Sequence, residues 1–120
     1  MPGPLSGVRV LDLTGVVSGP FATMFLADQG ADVIKIEPIG GDITRRSRAS
    51  IDKNGEFSAL FTSSNRGKRS LSIDVKSEAG REVLARLVAQ ADVLVQNFRP
   101  GTMERLGRGE IGRASCRERV

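Results

Sequence analysis

A chain of 120 residues with 39% hydrophobic and 27% charged residues has the make-up of one ordinary globular domain, large enough to bury a core but not two. Its formal charge of +4 invites a polyanion. The basic residues fall in small groups, however (Arg45, Arg46, Arg48; then Arg66, Lys68, Arg69), and no Tyr or Trp is present to stack on bases, so nucleic acid is not expected as a partner.

Histidine is absent and Cys116 is the single cysteine, which argues against a transition-metal centre, an internal disulfide and histidine acid–base chemistry. No apolar run approaches the roughly eighteen residues of a membrane helix. The opening MPGPLSGVRVLDL has no basic stretch followed by an apolar one, so neither a secretory signal nor a membrane is expected, and the expected location is cytoplasmic.

Residues 8–13 read as a first buried strand. Gly19 and Pro20 open a helix through FATMFLADQG, with Ser18 placed to cap it, Pro20 in the first turn and Gly30 as its stop. Residues 31–36 (ADVIKI) form a second strand. Residues 37–54, rich in Gly, Arg, Ser and Asp without a period, read as a long loop. A short helix over 57–64 precedes a third strand at 70–75. Ser77 begins an amphipathic helix with Val83, Leu84, Leu87 and Val88 on one face and Glu78, Arg81, Glu82 and Arg86 outside. Residues 92–96 are a fourth strand, and Pro100-Gly101 opens a helix that carries Arg105. The order β-α-β-loop-β-α-β-α predicts an α/β fold with a parallel sheet and flanking helices.

Four stretches fall at strand ends, where open α/β sheets bind ligands. Residues 14–20 make a strand-to-helix turn whose free N–H groups suit an anion, or a plain capped turn. Residues 37–42 with Arg45 and Arg46 are either a phosphate cradle or a solvated loop, and a catalytic Glu37–Asp42 carboxylate pair is the weaker reading. Arg66, Lys68 and Arg69 at one end of a strand and Lys76 at the other either grip a phosphate ester or protect an edge strand. In residues 93–107, VLVQNFRPGTMERLG, Asn97, Phe98, Arg99 and Arg105 place an amide, a ring and two guanidiniums at a strand end. They suit a planar ring and phosphates, against a reading of Phe98 as core and Arg105 as surface. Together these features suggest a nucleotide-like ligand with several phosphates.

The segments VLDLTGVVSGPFATMFLADQGADVIKIEPIGGDITRR and NRGKRSLSIDVKSEAGREVLARLVAQADVLVQNFRPGTMERLG closely resemble the N-terminal part of family III CoA-transferases, which include the related alpha-methylacyl-CoA racemases. The resemblance implies a Rossmann-like parallel sheet with flanking helices, truncated here, and coenzyme A as the bound group. It places Ile73, Asp74, Val75 and Lys76 on the adenine and ribose side. It makes Asn97, Phe98 and Arg105 coenzyme contacts, with Arg99 and Leu106 as neighbours. Pro38 stands where some members have an arginine near the adenine, so one contact is missing. Val17 stands where formyl-CoA transferase has a glutamine near the acyl group, which disfavours formate and oxalate.

The family's transferases use an aspartate that forms a mixed anhydride and then an aspartyl-CoA thioester, with acyl-CoA and carboxylic acids as substrates. The racemases use an acid–base pair. Both sets lie downstream of the matched segment, so no catalytic residue is expected here and Asp12 reads as structural. The expectation is a fragment of an acyl-CoA:carboxylate CoA-transferase, inactive by itself. The alternatives are a racemase-like fragment, a CoA-binding module without chemistry, or an inert truncation. Intact members form interlocked homodimers, which a fragment is not expected to reproduce. Residues 1–107 are read as part of a CoA-binding α/β domain and 108–120, which contain Cys116, as an aberrant, disordered tail.

Overall fold

The structure is a computed structural model that describes residues 2–47, 53–54 and 57–105. Four strands, β1 (Arg9–Asp12), β2 (Asp32–Glu37), β3 (Arg69–Ser72) and β4 (Val93–Val95), form one sheet in the order β3-β2-β1-β4, with every neighbouring pair parallel. Helices α1 (Ser18–Asp28), α2 (Ala59–Asn65), α3 (Glu78–Ala89) and the short α4 (Thr102–Arg105) connect or follow them. The α/β class with a parallel sheet is as expected.

The two central strands are buried along most of their length, as strands covered on both faces must be. Alternate residues then serve different layers. Leu11, Leu13, Ile34 and Ile36 join Leu84, Leu94 and Met103 in one core cluster, with Leu87 and Val88 of α3 packed against it. Val10 and Val33 turn to the other face, against Leu26 and Ala27 of α1. Helices α1 and α3 therefore cover opposite faces, and all four strands direct their carboxyl ends to one edge.

The helix ends explain themselves locally. Ser77 caps α3, its Oγ accepting the Gly80 N–H at 2.9 Å. Helix α1 stops in a Schellman arrangement: Gly30 N–H bonds to Ala27 O at 3.0 Å and Ala31 N–H to Leu26 O at 3.1 Å, with Gly30 at φ 100°. Its start differs from expectation. Ser18 is already inside the helix, Val17 takes the cap position, and no side chain caps the end. The long loop after β2 also holds more order than its composition suggests. Asp42 caps a 3-10 turn, Ile43–Arg46, by accepting the Thr44 N–H at 2.9 Å.

Candidate functional site

The segments that leave the four strands line one cavity of about 670 Å³. After β1 come Leu13, Thr14, Gly15 and Val16; after β2, Pro38, Ile39, Asp42 and Ile43; after β3, Ile73, Asp74, Val75 and Lys76; after β4, Asn97 and Phe98. The cavity opens at the strands' carboxyl edge. There the strand order reverses between β1 and β4, the place where open α/β sheets take their ligands. Its wall is mainly apolar, with Asn97 and Lys76 among its polar members.

The β3 side of the wall is held tightly. Ile73 N–H continues the β2–β3 pairing by donating to Glu37 O at 3.0 Å. Lys76 N–H donates to the Asp74 carboxylate at 3.0 Å, and Ser77 Oγ donates to Asp74 O at 2.7 Å. Gly80 permits this: a Cβ there would stand 1.8 Å from Asp74 O. On the β4 side, Asn97 bonds to both backbone groups of Gly15, and Phe98, half-buried, packs against the Leu11 cluster.

Beneath the cavity lies a buried ionic layer. Asp12 accepts from Lys68 Nζ at 2.7 Å, from Thr23 at 2.7 Å and from the Thr14 hydroxyl. Lys68 Nζ also donates to Pro20 O at 2.9 Å and Asn65 Oδ1 at 2.8 Å. Burial opposes ionisation of Asp12, but its hydrogen bonds and the Lys68 charge outweigh that and hold its carboxyl below the ordinary range. Burial also lowers the Lys68 pKa, with Asp12 pulling the other way. Lys35 Nζ pairs with Asp42 at 3.1 Å and donates to Thr14 O at 3.0 Å, tying the loops after β1 and β2 together.

Glu37 is gripped at both oxygens by Arg45, at 2.6 and 2.7 Å, and by Ser70 at 2.6 Å and the Asp42 N–H at 2.8 Å. Burial alone would raise its pKa. The bonds from Arg45, Ser70 and Asp42 prevail and bring it to about 2. The Arg45 guanidinium lies 3.8 Å from the centre of the Phe61 ring, within cation–π range.

Among the expected site residues, Ile73, Asp74, Val75, Lys76, Asn97 and Phe98 come together on this wall. Arg99 and Arg105 are exposed and do not line it, and Arg105 donates to Thr102 Oγ1 at 3.1 Å. Leu106 and the tail 108–120 lie outside the described residues. The basic cluster at the amino end of β3 has protein partners. Arg66 is paired with Asp28, Lys68 with Asp12 and Arg69 with Asp32. The Glu37–Asp42 carboxylate pair likewise dissolves into two ion pairs with separate cations.

Sequence reasoning missed the structural work of Lys35 and Gly80. Each left a trace: a lysine between two isoleucines in the strand ADVIKI, and a glycine in the first turn of a well-capped helix. No group of residues suited to hold a metal occurs among the described residues, nor any helix there long and apolar enough to cross a membrane.

The model of CoA-transferase family III matches residues 5–119. A succinyl-CoA:mesaconate CoA-transferase of Haloarcula hispanica is 48% identical over 109 residues, covering 89% of this chain and 28% of that protein. A formyl-CoA:oxalate CoA-transferase of Escherichia coli is also 48% identical over 109 residues, covering 89% of this chain and 26% of that one. The chain thus spans little more than a quarter of the length of these curated relatives. Among solved structures, a CAIB/BAIF family protein from Brucella suis superposes with a TM-score of 0.86 at 43% identity, over 95% of this chain and 31% of that one. The D175A mutant of Rv3272 from Mycobacterium tuberculosis gives 0.85 at 39%, over 98% and 32%.

Proposed function

The chain belongs to CoA-transferase family III, and from that premise we propose that its strand-end cleft receives the coenzyme A portion of an acyl-CoA. In the longer protein, this domain would serve the transfer of CoA between carboxylic acids through an aspartyl intermediate. The observation that carries the reading is the convergence of residues 73–76 and 97–98, far apart in sequence, on one wall of one cavity. The segment 73–76 offers apolar side chains and backbone groups to an adenosine, and Phe98 offers a ring face. Lys76 lines the cleft and enters no ion pair among the described residues, which leaves its charge for a phosphate. Arg99, Arg105 and Leu106, which the family resemblance names, are proposed as further coenzyme contacts.

Glu37 and Asp42 reach the cavity but are committed to Arg45 and Lys35. Neither is proposed as the nucleophile, and that role is assigned to sequence beyond these 120 residues. The mesaconate- and oxalate-named relatives are equally similar, so overall identity does not choose the acid. We place the choice at the loop after β1, where Val17 offers no side-chain hydrogen bond and disfavours formate and oxalate. The longer protein is proposed to be a cytoplasmic, metal-independent homodimer.

Calorimetric titration of the chain with coenzyme A tests the binding reading. Saturable heat is expected, with affinity reduced about tenfold in Phe98→Ala, the scale of one lost aromatic packing partner. A titration with no saturable heat would remove the proposal.

A further inference from the structure

The family resemblance makes Asn97 a ligand contact, yet its amide is engaged with the protein. Oδ1 accepts the Gly15 N–H at 3.1 Å, and Nδ2 donates to the Gly15 carbonyl at 2.9 Å. A primary amide presents a donor and an acceptor side by side, so it can hold both backbone groups of one residue at once. Gly15 follows β1 and Asn97 follows β4, neighbours across the reversal in strand order. The last backbone tie between these strands is Leu13 N–H to Val95 O at 2.9 Å. The Asn97 bracket continues that tie to the lip of the cavity, where backbone pairing has ended.

Next to the bracket stands Val16, whose φ is 70°. It is the one non-glycine residue at positive φ among those described, and a β-branched side chain is among the least suited to that region. Released, Val16 would relax to negative φ and swing its side chain, which lines the cavity. Two restraints oppose that relaxation. Asn97 holds the preceding residue, and the Phe21 N–H bonds to Val17 O at 2.8 Å as α1 begins.

We infer that Asn97 is a positioning residue: its amide holds the Gly15–Val16 backbone in a strained, left-handed form and so shapes the wall against which coenzyme A packs. The inference rests on the coenzyme reading above only for its ligand. The bracket itself is a property of the chain and is tested without one.

The ligand-free arm is amide hydrogen exchange at Gly15. Asn97→Ala is expected to speed it about tenfold, the scale of one net hydrogen bond, with Asn97→Asp, which keeps the acceptor and loses the donor, between that and the unsubstituted chain. Unchanged exchange at Gly15 in Asn97→Ala overturns the inference, and a melting curve for each variant identifies any general loss of fold. The ligand arm is coenzyme A titration. Asn97→Ala is expected to weaken binding about tenfold. Adding Val16→Gly, which adopts positive φ without steric strain, is expected to recover at least about threefold of the loss. A loss that Val16→Gly leaves untouched means that the amide contacts the ligand directly, and the inference falls. If the unsubstituted chain binds no coenzyme A, the coenzyme reading fails alone, and the exchange arm still decides the bracket.

Discussion

Glu37 illustrates how single residues are committed in this molecule. Its carboxylate closes the β2 strand end, with Arg45, Ser70 and the Asp42 N–H around it. Its pKa in the folded chain is about 2, against 4.5 for an unperturbed glutamate. A carboxyl lowered in this way contributes stability that is fully present above about pH 4.5 and is lost as the pH falls toward 2. Allowing for the partial exposure of Arg45, the contribution is on the order of 2 kcal/mol. Glu37→Gln is therefore expected to lower stability by about that amount at pH 7 and by roughly 40% of it at pH 3. Urea unfolding at the two values measures it, and an equal loss at both would contradict the ionic account. Asp12 follows the same logic: a charge inside an apolar strand reads as structural, and Lys68 and two threonines hold it there.

Elements were legible where the signal is local. Ser77, the apolar face of α3 and Gly30 all announce their roles by spacing, because caps and periodicity act within a few residues. The face of α1 was not. Met24 and Thr23 turn inward, while Phe21 and Phe25 pair edge-to-face at 4.9 Å on the exposed side. An evenly apolar helix does not say which side the sheet will cover.

The junction of β3 with α3 yields a prediction in which two principles oppose each other. Helix propensity alone favours Gly80→Ala by up to about 1 kcal/mol. The new methyl would meet Asp74 O, since a Cβ at Gly80 lies 1.8 Å from it. The expected outcome is a loss of about 1–3 kcal/mol, typical of overpacking. Chemical denaturation measures it, and a stabilised variant would refute the close approach.

At the scale of the whole molecule, the chain supplies a sheet, its two covered faces and a cleft, over 28% of the length of a curated relative. Among the described residues, edge strand β4 pairs only with β1, and the Phe21–Phe25 pair is open to solvent. With Glu37 and Asp42 held in ion pairs, the chain by itself is expected to give no CoA exchange between an acyl-CoA and a carboxylic acid. An assay of product thioester checks this, and turnover above the blank would return the nucleophile to these residues.

The sequence by itself determined the α/β class, the succession of strands and helices along the chain, several helix ends and the family. Apolar periodicity, caps and contiguous motifs are written along the chain, where neighbours in sequence are neighbours in space. Only the tertiary structure decided which charges are spent and which remain for a ligand. The arrangement β3-β2-β1-β4 brings Lys68 onto Asp12, 56 residues away, and Asn97 onto Gly15, 82 residues away. Arg66, Lys68 and Arg69 resembled a phosphate grip because composition shows charge but not its partner. Pairing is settled by how the elements are arranged in space, and for Lys68, buried against Asp12, it is obligatory, since a buried charge stripped of its partner costs roughly 3–5 kcal/mol.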